Sequence, residues 1–330
     1  MNKKIISMAV AAALVAPVVA QAADVSFSGD ARYRWGVIQD EAGNTVSNTN
    51  DNRIRLKVDV KEEGISAHAR MQFDNNGAAR NVLTDYAYIK APIFGGAATL
   101  SVGDQIASFG AGLKVKNDRK PNRIKVAIPA GAFKATIYAD QPAGDMGGGV
   151  LSGKAAGWNV AVLSTATKST MIFAKGKAGP VDLTIENDSL GDKSSATMLM
   201  GKMPMGGMNI HFGYVGTDKG FEAHKLFNPI STIGNDQNTG IMNLGNADGS
   251  STNILAGVDL KAGPGTLVAM FGSSSSTDTG SPVSFSATLI DLKYVVPLAK
   301  KAKFAATYGQ ISGDFGYKAT AFGANINYKF

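Results

Sequence analysis

The chain has 330 residues, a formal charge of +7 and no cysteine, and 44% of its residues are hydrophobic against 18% charged. The absence of cysteine excludes a disulfide framework and any thiolate metal site, and the basic residues form no single solvated run of the kind that marks a nucleic-acid partner. Thirty-nine glycines beside so few charges suit an all-β chain with many tight turns, not an ordinary soluble enzyme.

The first 22 residues read as a secretory signal. Asn2, Lys3 and Lys4 precede an apolar run from Ile5 to Ala16, Pro17 interrupts it, and Ala20-Gln21-Ala22 supplies the small-x-small cleavage pattern. The expected mature chain starts at Ala23, keeps 308 of the 330 residues, and carries +5 once Lys3 and Lys4 are gone. No later segment offers the roughly 20 consecutive apolar residues of a transmembrane helix.

From Val25 onward the chain alternates in polarity. Val25, Phe27, Ala31, Tyr33, Trp35 and Val37 share one parity against Ser26, Ser28, Asp30, Arg32 and Arg34. Ile54, Leu56, Val58 and Val60 oppose Arg53, Arg55, Lys57, Asp59 and Lys61; Ile124, Val126 and Ile128 oppose Arg123 and Lys125; Ile254, Ala256, Val258 and Leu260 oppose Asn253, Asp259 and Lys261. A period of two predicts strands, and the 3.6 period of a helix is missing. The final "AFGANINYKF" keeps the pattern to the last residue, with Phe322, Ala324, Ile326, Tyr328 and Phe330 on one face.

The connections alternate too. Short turns are expected at 62–64, 94–96, 129–131, 156–157, 177–180, 205–207, 261–265 and 297–302. Longer polar connections are expected at 39–51, 74–81, 104–121, 140–148, 188–194, 217–251, 273–283 and 312–318, with one brief connection at 166–169. A soluble sandwich gives no reason for short and long connections to alternate, whereas a membrane barrel has tight turns at one rim and long loops at the other. Eight short turns imply an antiparallel barrel of eighteen strands, with sixteen as the alternative if the pairs around 157–177 are over-split. In hydrocarbon such a sheet must close on itself, with its apolar parity toward lipid and its polar parity toward the lumen. Aromatics near strand ends, among them Trp35, Phe73, Phe94, Trp158, Tyr214, Phe271, Tyr294, Tyr308 and Tyr328, are expected in interfacial girdles.

All eight arginines lie before residue 124. Parity places Arg32, Arg34, Arg53, Arg55, Lys57, Arg70, Arg123 and Lys125 on the polar face of the first, second, third and sixth strands. With neighbouring strands about 4.8 Å apart, these side chains form a dense basic wall along one side of the lumen. Asp30, Asp59, Asp74 and Asp85 could neutralise part of it, and Asp182, Glu186, Asp259 and Asp291 are acidic lumen candidates on the far strands. The three histidines, His68, His211 and His224, show no metal-ligand spacing. No Ser-His-Asp set is visible in the spacing, and no cofactor is implied.

The chain resembles the Gram-negative outer-membrane porins of the general diffusion type. "VSFSGDARYRWG" is similar to the first porin strand, "FGGAATLSVGDQ" to the turn and fifth strand that lead into the constriction loop, and "NINYKF" to the terminal assembly signal. The resemblance implies an outer-membrane location, contacts with membrane lipid and lipopolysaccharide, a homotrimer, and recognition of Tyr328 and Phe330 by the barrel-assembly machinery. It also implies that residues 104–121 fold into the barrel opposite the basic wall. This segment departs from the commoner acidic pattern, because Asp104 and Asp118 are outnumbered by Lys114, Lys116, Arg119 and Lys120.

A mouth lined by one sign of charge concentrates the opposite ions, so the expected function is passive diffusion of small hydrophilic solutes with a mild anion preference. A substrate-specific channel and a structural or adhesive barrel are the alternatives. The 217–251 loop, long and rich in apolar residues, keeps three roles open: plugging the mouth, clasping a neighbouring subunit, or capping its own barrel.

Overall fold

The computed structural model describes residues 24–76, 79–111, 113, 118–140, 147–191, 194–221, 249–278, 284–314 and 318–330; the expected signal at 1–22 lies outside them. The strands are β1 (Asp24–Asp40), β2 (Thr45–Glu62), β3 (Ile65–Asn76), β4 (Ala79–Ile93), β5 (Ala98–Ala107) and β6 (Asp118–Ala130). Then come β7 (Phe133–Ala139), β8 (Gly147–Ala155), β9 (Trp158–Thr165), β10 (Ser169–Ala178), β11 (Val181–Leu190) and β12 (Ser194–Met205). The last six are β13 (Met208–Thr217), β14 (Gly249–Ala262), β15 (Gly265–Asp278), β16 (Ser284–Ala299), β17 (Ala302–Gly313) and β18 (Lys318–Lys329). Each pairs antiparallel with the next, and β1 pairs with β18 as well as β2, so eighteen strands close into a barrel.

The parity written in the sequence sets which face is which. Tyr33, Trp35, Ile54, Ile137, Ile254, Ile290, Phe322 and Ile326 are all at least two-fifths exposed, whereas Arg34, Asp51, Arg123, Glu186, Asp291 and Asn325 are buried. The apolar parity therefore faces outward and the polar parity inward, the reverse of a soluble protein and the arrangement a bilayer requires.

All eight expected short turns are present, none longer than four residues, and the opposite rim carries the longest connections, 108–117 between β5 and β6 and 218–248 between β13 and β14; the connections expected there at 74–81 and 188–194 shrink to two and three residues because the flanking strands run further. Several strands run further than their composition indicated. Residues 45–51 and 273–278, expected as loop, belong to β2 and β15, pairing Asn50 with Trp35 and Ser274 with Asn253. The 17 residues of β1 exceed the roughly 10 that cross a bilayer. Above the membrane a strand can be polar on both faces, which is why asparagine and serine runs there resemble loops. Likewise 104–107 and 118–121, expected within the constriction loop, close β5 and open β6, so the loop proper is 108–117.

Closure falls on the last residue. Gly29 N–H donates to the Phe330 carbonyl at 3.1 Å, and Phe330 N–H donates to the Gly29 carbonyl at the same distance. The Phe330 ring lies against Gly29, where a Cβ would overlap both the ring and the Arg55 carbonyl oxygen. The same device recurs where the Trp158 ring covers Gly176 and the Tyr294 ring covers Gly265: an aromatic fills the gap a strand glycine leaves. Of the expected girdle, Trp35, Phe73, Phe94, Tyr214, Phe271 and Tyr328 are exposed outward, whereas Trp158, Tyr294 and Tyr308 are partly covered by neighbours.

Gly29→Val should therefore destabilise the closed barrel by about 1–3 kcal/mol, the usual cost of overpacking. Urea unfolding of the refolded protein in detergent, followed by tryptophan fluorescence, measures this. An unchanged midpoint would mean that the seam tolerates a side chain there.

Candidate functional site

Arg32, Arg34, Arg53, Arg55, Lys57, Arg70 and Arg123 each stand against a carboxylate. Arg34 Nε donates to Asp51 Oδ1 at 2.9 Å and its Nη2 bonds the second oxygen, with Arg32 Nη2 3.7 Å from the same carboxylate. Arg55 Nε donates to Asp30 Oδ2 at 2.8 Å, and Arg53 Nη2 lies 3.4 Å from Oδ1. Lys57 Nζ sits 2.7 Å from Asp59, and Arg70 Nε donates to Asp85 at 2.8 Å. Arg123 forks onto Asp140 at 2.5 and 2.8 Å while its guanidinium lies 4.5 Å from the Tyr138 ring centre.

Five carboxylates, Asp30, Asp51, Asp59, Asp85 and Asp140, thus stand among the eight expected cations, leaving an excess of three. The partners at Asp51 and Asp140 escape the sequence reading because both residues sit in stretches with loop composition. Cross-strand register reveals them: Asp51 lies opposite Arg34, and Asp140 follows directly on β7 beside Arg123. Of the other expected acids, Asp74 accepts from Gln72 at 3.1 Å, and Asp259 is held by His211, Lys202 and Asn209.

The described residues of the connection after β5, 108–111 and 113, turn into the barrel. Phe109 stacks on Tyr138 with ring centres 5.4 Å apart, so the base of the loop lies on β7. Its next residues reach β11, where the fully buried Glu186 accepts the backbone N–H of Leu113 at 2.8 Å and that of Ala111. Gly110 has φ +57°, a conformation that favours glycine, and a Cβ there would crowd the Glu186 carboxylate and the Met171 sulfur. Leu113 then packs into a buried cluster of Met198, Val215, Phe221, Leu255 and Met270. In a ring of eighteen, β11 is diametrically opposite β2, so the loop is anchored across the lumen from Arg53 and Arg55.

Among the expected loop residues, Asp104 does not belong to the loop tip. It sits at a register shift in β5 and accepts the Asn122 backbone N–H at 2.9 Å, clasping the two strands together. The reason is local: a bulge turns its side chain toward the strand whose N–H it frees. Asp118 is in β6 opposite Ala107, and Lys114 and Lys116 lie outside the described residues. Lys125 faces the lumen between the neighbouring cations Lys90 and Lys134. Phe221 anchors the near end of the 217–251 connection inside the barrel; 222–248 lies outside the described residues.

One constellation has no counterpart in the spacing. Ser66 Oγ is 2.8 Å from His68 Nε2, and His68 Nδ1 is 2.6 Å from Asp59, with the His68 ring stacked on Tyr88 at 4.8 Å. This is the hydrogen-bond order of a hydrolytic triad, but a triad also needs free N–H donors for an oxyanion. The backbone around Ser66 is committed to pairing with Lys61 on one side and Lys90 on the other. The set therefore reads as a satisfied polar network on the lumen wall. Among the described residues no group of three or more metal-ligating side chains converges.

No protein-family model matches the chain, and no curated protein does. Solved structures do. OccK5 (OpdH) of Pseudomonas aeruginosa aligns with a TM-score of 0.66 at 10% identity, over 93% of this chain and 98% of that one. The trimer form of OmpT, an outer membrane protein of Vibrio cholerae, gives 0.53 at 14% identity over 94% and 100%. An anion-selective porin from Comamonas acidovorans gives 0.51 at 13% over 93% and 100%.

The chain has the fold of the Gram-negative outer-membrane porins. The similarity spans nearly the whole of both chains in each pairing, so the barrel is matched as one architecture and not as a shared fragment.

The Glu186 clamp can be tested directly because the chain has no native thiol. In an Ala111→Cys background, adding Glu186→Ala should raise the labelling rate by a methanethiosulfonate reagent at least about tenfold, since hydrogen bonds to a charged group are worth roughly 1.5–3 kcal/mol each. An unchanged rate would mean that the apolar cluster alone holds the loop.

Proposed function

We propose that the protein is a passive outer-membrane pore for small hydrophilic solutes, with a mild preference for anions. The observation that carries this reading is the cation excess on the lumen wall opposite a loop folded inside the barrel. In a narrow, water-filled passage bounded by low-dielectric walls, an uncompensated excess raises the local concentration of counter-ions. Ion pairing explains why the preference is mild: seven of the eight cations, all but Lys125, share five carboxylates a few ångströms away. In this reading Arg32, Arg34, Arg53, Arg55, Lys57, Arg70, Arg123 and Lys125 line the pore, and 108–117 sets its width.

The remaining parts follow from the same reading. Residues 1–22 direct export, and Tyr328 and Phe330, exposed on the outer face with rings 6.2 Å apart, present the tail to the barrel-assembly machinery. Three copies assemble through their outer walls in membrane containing lipopolysaccharide, as the trimeric form of the Vibrio protein supports. A substrate-specific channel is the second reading. It is favoured by a lumen stack in which His68, Tyr88 and Tyr86 follow one another and Arg70 lies 4.9 Å from the Tyr86 ring centre.

Reversal potentials across a planar bilayer under a KCl gradient test the proposal. The wild-type sign should report chloride preference, and Arg53→Gln with Arg55→Gln should bring the permeability ratio toward unity, because the wall excess falls from three to one. A wild-type reversal potential of the opposite sign would refute it.

A further inference from the structure

The seam where the barrel closes holds a second group of cations that the arginine clustering did not reveal. Between β1–β2 and β16–β18 the inner wall encloses a cavity of about 470 Å³, lined by Arg53, Arg55, Lys293, Lys303 and Lys329 together with Asn327 and Asn325. Asp30 is the one carboxylate in this lining, and it is already engaged by Arg53 and Arg55. Among the described residues no carboxylate lies within 4 Å of the ammonium groups of Lys293, Lys303 or Lys329; buried Asp291 is two residues from Lys293 on the same face.

The chemistry of this lining differs from that of the arginine wall. There, guanidinium forks are fixed by carboxylates. Here, three ammonium groups on flexible stems approach from three successive strands, and each is a compact charge with three donors and no shape requirement. Asn327 spends one amide hydrogen on Asn325 Oδ1 at 2.7 Å, leaving a second for an oxygen acceptor. A monovalent ion can meet only one or two of these groups at a time. A solute with several anionic oxygens can meet cations on β2, β17 and β18 together. Lys303 and Lys329 lie beside the tight turn between β16 and β17, so the cavity is at the short-turn end of the lumen.

We propose that the seam cavity is a holding site for multivalent oxyanions, solutes of the oligophosphate or polycarboxylate class, at the short-turn end of the pore. This rests on the channel reading above, and it adds a location and a charge class that a general anion preference does not require.

The test is block of the KCl current through purified protein in planar bilayers by pyrophosphate or by citrate, added on the short-turn side. Wild-type protein should show concentration-dependent block. Lys293→Gln with Lys303→Gln should raise the half-blocking concentration about fivefold or more, the loss expected for two solvent-screened ion pairs. Lys90→Gln with Lys134→Gln removes the same charge from β4 and β7, away from the seam, and should shift that concentration less than about twofold. Lys329→Gln alone serves as an independent variant should the first pair assemble poorly. Block by pyrophosphate only would assign the phosphate source, block by citrate only the carboxylate source, and either supports the site. Equal relief by the two double variants, or no block while chloride preference persists, overturns the site and leaves the channel intact. A wild-type protein that passes no current overturns both.

Discussion

No backbone N–H or C=O can be left unpaired in hydrocarbon, and everything else in this barrel follows from meeting that constraint. An open sheet would expose two edges to lipid at a cost of several kcal/mol for each unsatisfied group. The chain avoids this by bringing its last strand back to its first, where Phe330 and Gly29 exchange both backbone hydrogen bonds at the final residue. Once the sheet is closed, side-chain parity has only two destinations. Isoleucine, phenylalanine and tyrosine take the lipid side, and arginine, aspartate and asparagine are gathered inside, where they must satisfy one another.

That enforced gathering explains the lumen. Cations on one strand meet carboxylates on the next because register leaves them opposite each other, as Asp51 stands opposite Arg34. It also explains how a loop can be held inside an otherwise polar tube. The inner faces of β12 to β15 carry Met198, Val215, Leu255 and Met270, which lipid does not reach and which would be poorly placed against water; Leu113 and Phe221 cover them. Glu186 supplies the directional part of the anchor, and its two backbone partners fix where the loop crosses the β11 wall.

Most of the architecture was legible in the sequence because alternation and turn spacing are local signals. Every tight turn, the strand number and the inward parity of the arginines could be read from them. What was not legible is what depends on neighbours. Asp51 and Asp140 as counter-ions, Asp104 as a strand clasp, and the Lys293–Lys303–Lys329 group all require knowing which strands lie side by side. The Ser66–His68–Asp59 network is hidden for the same reason, since His68 meets Asp59 only across the β2–β3 ladder. The loop-covered patch does leave a signal in the sequence. Residues 196–200, Ala-Thr-Met-Leu-Met, are nearly apolar on both parities, and in a barrel a strand that is apolar on both faces has its lumen side covered.

The functional account thus reduces to a closed wall around a lumen narrowed from within, with eight proposed pore-lining cations set against five contacting carboxylates. Single-channel recording of the purified, refolded protein in planar bilayers tests that account most directly. It predicts discrete current steps that grow with KCl concentration; folded protein that inserts without carrying current would contradict it.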